Sequence, residues 1–166
     1  MFLIAYDGSD DAKAAVEHIA ELVPGQPAVV VTVWEPYLRL LTRYPATGTL
    51  LDAEDSEQID GASRGDAERT AEEGAALGRT HGLEASGRAV MMQDAVADTL
   101  LAEADRVTAG AIVVGSRGLG GLGSLLLGSV SHALLQRADR AVVIVPSPKV
   151  AEKRKEKRHS RDAADA

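Results

Sequence analysis

Five strand-like segments recur along this chain, four of them almost wholly apolar and rich in valine or isoleucine: residues 2–6, 28–34, 84–92, 111–114 and 141–145. Short apolar runs of this kind are typical of strands that are buried on both faces of a parallel sheet. Longer segments with helical character separate them. Strands that alternate with helices in this way predict an open α/β fold of the Rossmann-like kind, with a five-stranded parallel sheet and helices on both faces.

The helices are predicted from their apolar spacing and their end signals. Ser9 or Asp10 can cap a first helix with apolar residues at helical intervals: Ala14, Ala15, Ile19 and Leu22. Residues 60–81 predict a second helix, and residues 130–138 predict a last one. Asp94 is expected to cap a helix that ends near Arg106 and turns four residues toward the core: Val96, Leu100, Leu101 and Ala104. Residues 36–57 lack a clear period and predict an excursion loop, with at most a short helical turn.

Composition narrows the class of protein. The 166 residues are most simply one domain, at residues 1–148, followed by a charged tail at residues 149–166 that is expected to be disordered. The domain carries 11 basic and 21 acidic side chains, whereas the tail carries 7 and 4. An acidic body argues against nucleic-acid binding. The absence of cysteine excludes disulfides and thiol chemistry, and no apolar stretch reaches the length of a membrane span, so a cytoplasmic protein is expected.

A glycine-rich segment follows the fourth predicted strand. It reads Gly115-Ser116-Arg117-Gly118, and Gly128-Ser129 follows after nine further residues, just before the last helix. Glycines allow a ligand to approach the backbone closely, and the first N–H groups of a helix have no partner within it, so this arrangement can hold phosphates. It is neither a Walker P-loop nor the dinucleotide fingerprint. The alternative is that the glycines serve only a tight turn.

Other polar residues are expected at the same end of the sheet. Asp7 ends the first strand, where it could contact a ribose or hold a magnesium ion against phosphates; it could equally form the Asx turn common in Asp-Gly-Ser. Arg117 could reach a phosphate, with Ser116 and Ser131 as weaker candidates. Trp34 and Tyr37 could stack on a base or simply pack. His132 could lie near the phosphates, although a surface histidine is the plainer interpretation.

Taken together, these motifs resemble the universal stress protein family over residues 1–148. The resemblance rests on the opening Ala5-Tyr6-Asp7-Gly8-Ser9, on Val31-Thr32-Val33, on the glycine-rich segment through Leu127-Gly128-Ser129-Val130-Ser131, and on Val142-Val143-Ile144-Val145-Pro146. The spacing Gly-x-x-Gly, nine residues, Gly-Ser is that of the ATP-binding branch of the family. Tyr6 departs from the family, in which a small residue often precedes the aspartate, and its larger side chain is expected to narrow the adenine end.

The resemblance implies a sheet with strand order 3-2-1-4-5, adenine-nucleotide binding and a homodimer that pairs the last strand, residues 141–145, with its symmetry mate. It implies that Val33 meets adenine through its backbone and that Asp7 contacts the ribose and phosphates. The binding residues it implies are Ala5, Tyr6, Asp7, Val33, Gly115, Ser116, Arg117, Gly118, Gly128, Ser129, Val130 and Ser131.

The function predicted on these grounds is that of an ATP-binding regulatory protein of the stress response. Nucleotide occupancy would alter the segment between Leu119 and Leu127, in which Gly120, Gly121 and Gly123 predict flexibility when the site is empty. A homodimer or another partner would respond to that change. Two alternatives stay open: a slow ATPase or adenylyl transferase with Asp7 or His132 as its base, and a dimeric scaffold that binds AMP, cyclic AMP or another adenine nucleotide.

Overall fold

In a computed structural model, five strands form one parallel sheet in the order β3-β2-β1-β4-β5. The structure describes residues 1–43, 53–119 and 127–162. The strands are β1 (Phe2–Ala5), β2 (Pro27–Trp34), β3 (Glu84–Met91), β4 (Ala111–Gly115) and β5 (Ala141–Val145). The predicted fold class and strand order are confirmed. All four strand pairings are parallel, so the carboxyl ends of β1, β2 and β4 meet at one edge of the sheet.

Six helices are described: α1 (Asp10–Leu22), α2 (Tyr37–Arg43), α3 (Ala53–Thr80), α4 (Val96–Arg106), α5 (Ser129–Arg137) and α6 (Pro148–Asp162). Ser9 caps α1 as predicted, since its Oγ accepts a hydrogen bond from the Ala12 N–H at 3.2 Å. Asp94 does not cap α4: the cap is Ala95. The Thr99 Oγ1 instead donates to the Ala95 carbonyl and accepts from the Gln93 N–H. The Thr99 hydroxyl thus joins the first turn of α4 to the backbone that precedes the helix.

Four further predictions differ from the structure. Helix α2 lies in the segment expected to be a loop, and α3 begins at Ala53 rather than at residue 60. Leu22, expected to face the core, is 59% exposed at the end of α1. The tail at residues 149–166 is expected to be disordered, but its residues as far as Asp162 belong to α6, in which Val150 is 4% exposed. The predictions for Gly120, Gly121 and Gly123 lie outside the described residues.

The core divides into two layers, one on each face of the sheet. One layer joins the sheet to α1 and α3, and Val16, Ile19 and Ala75 are nearly inaccessible within it. The other joins the sheet to α4 and α5, through Leu100, Ala104 and Leu134. Side chains of a strand alternate between the faces, so Ile4 enters the first layer and Leu3 the second. This alternation also determines which residues at the strand ends face the cavity described next.

Two glycines allow α3 to lie close against the sheet. A Cβ atom at Gly74 would come within 2.8 Å of the Tyr6 ring and of Val30. A Cβ at Gly87 in β3 would come within 2.8 Å of the α3 backbone at Ala71 and Glu72. Gly74 therefore has a packing role within α3 that outweighs its low helix propensity, and Gly87 allows β3 to approach the helix backbone. Among the described residues, no helix combines the length and the apolar character needed to cross a membrane.

Candidate functional site

A cavity of about 650 Å³ opens at the carboxyl ends of β1, β2 and β4. This is where open parallel sheets bind their ligands, because the loops diverge on either side of the point at which the strand order reverses. Here that point lies at β1 and β4, between which the chain crosses from one half of the sheet to the other. The volume lies within the range of pockets that enclose a small molecule.

The predicted binding residues converge on this cavity, with one exception. Those that line it are Ala5, Tyr6, Asp7, Val33, Gly115, Arg117, Gly118, Gly128, Ser129, Val130 and Ser131. Ser116 does not line it. Its side chain is fully buried, and its Oγ donates a hydrogen bond of 2.7 Å to Asp11 Oδ2. The hydroxyl of Ser116 is therefore a structural group here, and the predicted contact with a ligand has no support from this side chain.

One part of the cavity is apolar because it continues the core layer that α4 covers. Ala5, Val33 and Val96 are partly buried members of that layer, and Val31 and Leu100 are almost inaccessible. None of these side chains offers a hydrogen bond, so this part of the cavity suits a flat, apolar group such as the faces of a heterocyclic base. The Thr32 hydroxyl, nearby, donates to the Tyr6 carbonyl at 2.8 Å.

Tyr6 borders the cavity, but its ring belongs to the opposite core layer. The ring packs over Gly74, and the phenol donates a hydrogen bond of 2.9 Å to Glu73 Oε1. Burial, followed by the bond to Glu73, raises the pKa of Tyr6 well above its usual value. The expectation that the tyrosine ring narrows the adenine end is therefore wrong: alternation along the strand sends Ala5, not Tyr6, toward the α4 layer.

Asp7 connects β1 to the glycine-rich segment. Its Oδ1 accepts the Ser9 N–H at 3.0 Å, which is the Asx turn anticipated from Asp-Gly-Ser. Its Oδ2 accepts the Leu119 N–H at 3.1 Å and lies 2.5 Å from where a Cβ of Gly118 would be. A side chain at position 118 would therefore displace this carboxylate from its bond to the Leu119 N–H. Both carboxylate oxygens of Asp7 thus have backbone donors in this structure.

The start of α5 forms the other polar wall. The first helical bond of α5 runs from the His132 N–H to the Gly128 carbonyl, so the N–H groups of Ser129, Val130 and Ser131 precede it and have no partner inside the helix. Gly128 itself donates its N–H to the Ser116 carbonyl at 2.8 Å. The Ser131 Oγ donates to the Gly115 carbonyl at 2.7 Å. These two bonds join the two glycine motifs into one continuous wall.

The cationic group of this wall is Arg117. Its side chain is 25% exposed, and its Nε lies 4.0 Å from Asp11 Oδ2. The guanidinium is thus partly balanced by a buried carboxylate while it remains accessible from the cavity that it lines. Together with the N-terminus of α5, it gives this end of the cavity a positive character suited to phosphate oxygens.

Asp11 is a buried carboxylate that the sequence motifs do not identify. It is 7% exposed and accepts hydrogen bonds from the Ser116 Oγ at 2.7 Å and from the Arg117 N–H at 3.1 Å. Burial acts to raise the pKa of Asp11, but the hydrogen-bonding groups of Ser147 and Ser116, with the charge of Arg117, outweigh it and hold the pKa below its usual value. The one available sequence signal was an acidic residue in the first turn of α1, which ordinarily stabilises a helix N-terminus.

Three other candidates lie away from the cavity lining. Trp34 and Tyr37 are half-buried and do not line it, so stacking on a base from these two side chains has no support. His132 is exposed on α5 and does not line it either, which leaves it without the placement expected of a base. Within the described ranges, no group of three or more His, Asp or Glu side chains could hold a metal ion. The magnesium prediction therefore rests on Asp7 alone.

Sequence reasoning missed several lining residues. Val96 and Leu100 were assigned to the core alone, and the others missed were Ala12, Val31, Thr32, Val114, Leu119 and Leu127. Each is apolar or neutral, and a pattern that predicts burial does not distinguish a core wall from a cavity wall.

These observations define a class: an open α/β domain with a ligand-sized cavity between a glycine-rich loop and the carboxyl ends of a parallel sheet. The chain matches the model of the universal stress protein family over residues 1–146. It belongs to that family. It is 32% identical over 145 residues to a universal stress protein of Thermus aquaticus, covering 86% of this chain and 96% of the relative.

A second relative is a universal stress protein of Mycolicibacterium smegmatis, 31% identical over 145 residues. The match covers 86% of this chain but 47% of that protein, so the chain spans about half of its length.

Solved structures share the fold at low identity. A universal stress protein in complex with cAMP has a TM-score of 0.61 and 24% identity, covering 88% of this chain and 96% of its own. One from Archaeoglobus fulgidus in complex with dAMP has a TM-score of 0.56 and 22% identity, covering 87% and 95%. One from Arabidopsis thaliana with AMP bound has a TM-score of 0.57 and 18% identity, covering 87% and 90%.

Proposed function

We propose that this protein binds an adenine nucleotide, with ATP as the preferred ligand, and acts as a regulatory protein of the stress response. The observation that carries the proposal is the division of the cavity. One end is formed by Ala5, Val33 and Leu100, which suit a base, and the other by Arg117 and the first turn of α5, which suit phosphates. Nucleotides are a common class of ligand that combines a flat apolar base with charged phosphates.

Family relatives support the choice of adenine. Structural neighbours were solved with AMP, dAMP and cAMP, three ligands that share the adenine base. The preference for a triphosphate rests on this chain's own residues, because its two glycine motifs have the spacing of the ATP-binding branch and both border the cavity. Asp7 is suitably placed to contact the ribose once its bond to Leu119 is released.

ATP binding is expected to release heat in isothermal titration and to stabilise the fold. A ligand that binds only the folded state adds about 2.7 kcal/mol to the free energy of unfolding at a hundredfold excess over its dissociation constant. The thermal midpoint should therefore rise with ATP and rise less with GTP, which has the same phosphates but another base. No heat and no thermal shift at saturating ATP would contradict the proposal.

The regulatory part of the proposal requires a surface that can respond to the nucleotide. Strand β5 lies at the edge of the sheet and pairs with β4, so its outer row of backbone groups is open to another strand. The Ser116 N–H donates to the Val145 carbonyl at 2.7 Å, which joins this edge strand directly to the glycine-rich wall. A homodimer formed through Ala141–Val145 would thus be in contact with the site.

We expect sedimentation experiments to show a homodimer whose dissociation constant changes when ATP is present. The physical reason is thermodynamic linkage. If ATP binding shifts the glycine-rich segment next to Val145, pairing of β5 with its symmetry mate must in turn change the affinity for ATP. A protein that sediments as a monomer at every concentration, with and without ATP, would contradict the dimer. Equal dimer affinity in both conditions would contradict the coupling.

A further inference from the structure

The Asp11 carboxylate lies outside the cavity lining but is bonded to the middle of the segment Gly115-Ser116-Arg117-Gly118. Asp11 lies in the first turn of α1 and is 7% exposed. Its Oδ2 accepts the Ser116 hydroxyl at 2.7 Å and the Arg117 backbone N–H at 3.1 Å. These are the two central residues of Gly115-Ser116-Arg117-Gly118, so one oxygen atom fixes the middle of the motif.

Asp11 is itself held from a third direction. Ser147, which is 4% exposed and follows β5, adds its hydrogen-bonding groups to those that lower the pKa of Asp11. The Ser147 carbonyl accepts the N–H groups of Val150 and Ala151 at the start of α6. The 7% exposure of Asp11 and its two bonds to the motif limit the freedom of the carboxylate to move.

The backbone of α1 restricts the same motif by contact. A Cβ at Gly115 would lie 2.7 Å from the Asp11 carbonyl carbon. Helix α1 and the end of β4 thus meet without space for a side chain, and the Asp11 side chain continues this contact one residue further, to Ser116. The Ser116 carbonyl accepts the Gly128 N–H, so the contact with α1 also restricts the residue that precedes α5.

We propose that Asp11 is a positioning residue, which acts through Ser116 and Arg117 to hold the phosphate-binding wall in its binding conformation. The proposal rests on the nucleotide function proposed above. Both groups bonded to Oδ2, the Ser116 hydroxyl and the Arg117 N–H, are donors, and the Arg117 Nε lies 4.0 Å from the same oxygen. An ionised aspartate accepts from both and balances the guanidinium charge, whereas an amide keeps one acceptor oxygen but loses the charge that strengthens these bonds. A wall held in advance loses less conformational entropy when phosphates bind.

The test compares Asp11→Asn with the wild-type protein for two ligands, ATP and adenosine. Because Asp11 supports only the phosphate end, we expect ATP to bind about tenfold more weakly and adenosine within about twofold of wild type. Isothermal titration measures ATP, and ligand-observed NMR measures adenosine. A merely structural role would weaken both ligands by the same factor, and that result, or unchanged ATP affinity, would overturn the proposal.

The matched control is Glu103→Gln. Glu103 is also a buried carboxylate, 5% exposed, but it pairs with Arg88 and Arg106 and does not line the cavity. This variant should lower the thermal midpoint while leaving the ratio of ATP to adenosine affinity unchanged. If it changes that ratio as much as Asp11→Asn does, the effect is not specific to Asp11 and the proposal is wrong.

A second variant keeps the test decisive if Asp11→Asn does not fold. Ser116→Ala removes one donor to Asp11 and leaves the carboxylate in place, so it should weaken ATP a few-fold without affecting adenosine. Equal effects on the two ligands would overturn the proposal. Failure of the wild-type protein to bind either ligand would instead refute the nucleotide function itself, so the two failures are distinguishable.

Discussion

Replacing Ala5 by leucine is expected to lower the affinity for ATP by about 100-fold, equivalent to about 2.7 kcal/mol. Ala5 lines the apolar end of the cavity and lies in the same core layer as Val33 and Leu100. The three added carbon atoms would extend into the space proposed for the base. They would also bury apolar surface there, so the free energy of unfolding should stay the same or rise.

The variant is informative because the affinity for ATP should fall while the free energy of unfolding stays the same or rises. Titration with ATP and urea denaturation measure the two quantities separately. Ala76→Leu is the matched control, because Ala76 is exposed on α3 and does not line the cavity. ATP affinity should be unaffected in that control. If Ala5→Leu binds ATP as tightly as wild type does, the base does not lie in the apolar end of the cavity.

Replacing Gly115 by alanine is expected to lower the free energy of unfolding by about 3 kcal/mol. The new Cβ would lie 2.7 Å from the Asp11 carbonyl carbon and 2.9 Å from its oxygen, distances well inside van der Waals contact. These atoms belong to the backbone of α1, so no side-chain rotation can relieve the overlap. Either α1 or the end of β4 must shift, and both belong to the same core layer of the sheet. Urea denaturation measures the loss.

Gly110→Ala provides the control, since it makes the same chemical change just before the same strand. Gly110 precedes β4, and a Cβ there would meet no atom within 4 Å. Its free energy of unfolding should change by less than about 1 kcal/mol, with a gain expected from the reduced freedom of the unfolded chain. Equal losses in the two variants would show that the contact between Gly115 and α1 is not tight in solution.

The fold could be predicted from the sequence because its signals are local and repeated. Buried strands such as Pro27–Trp34 read as continuous apolar runs, and right-handed crossovers leave few ways to join them. Predictions failed where local patterns were weak. Helix α2 was missed in a segment without a clear period, and the start of α3 was missed because residues 53–57 were assigned to the same segment. Gly74, within α3, is required by close packing against Tyr6.

The candidate site was predictable where it consists of loop chemistry. Gly115, Gly118 and Gly128 all border the cavity, and the structure explains the first two by close contacts with Asp11 and Asp7. The roles of side chains were less predictable. Ser116 was predicted to contact the ligand, but its side chain is buried and donates a hydrogen bond to Asp11. Asp11 had only the signal of an ordinary acidic residue in the first turn of a helix. Those roles depend on contacts between residues more than 100 positions apart in the chain.

The sequence by itself predicted the parallel sheet, the alternation of its strands with helices and the sheet edge at which the cavity lies, because strand burial, turn glycines and helix starts are each recognisable in neighbouring residues. The tertiary structure alone decided which face each strand-end side chain enters, with Ala5 toward the cavity layer and Tyr6 toward α3, and which polar groups the protein satisfies internally. The physical reason is that a hydroxyl or a carboxylate has the same chemistry wherever it lies in the chain. Whether it is available to a ligand is determined by the donors and acceptors that folding brings within about 3 Å of it.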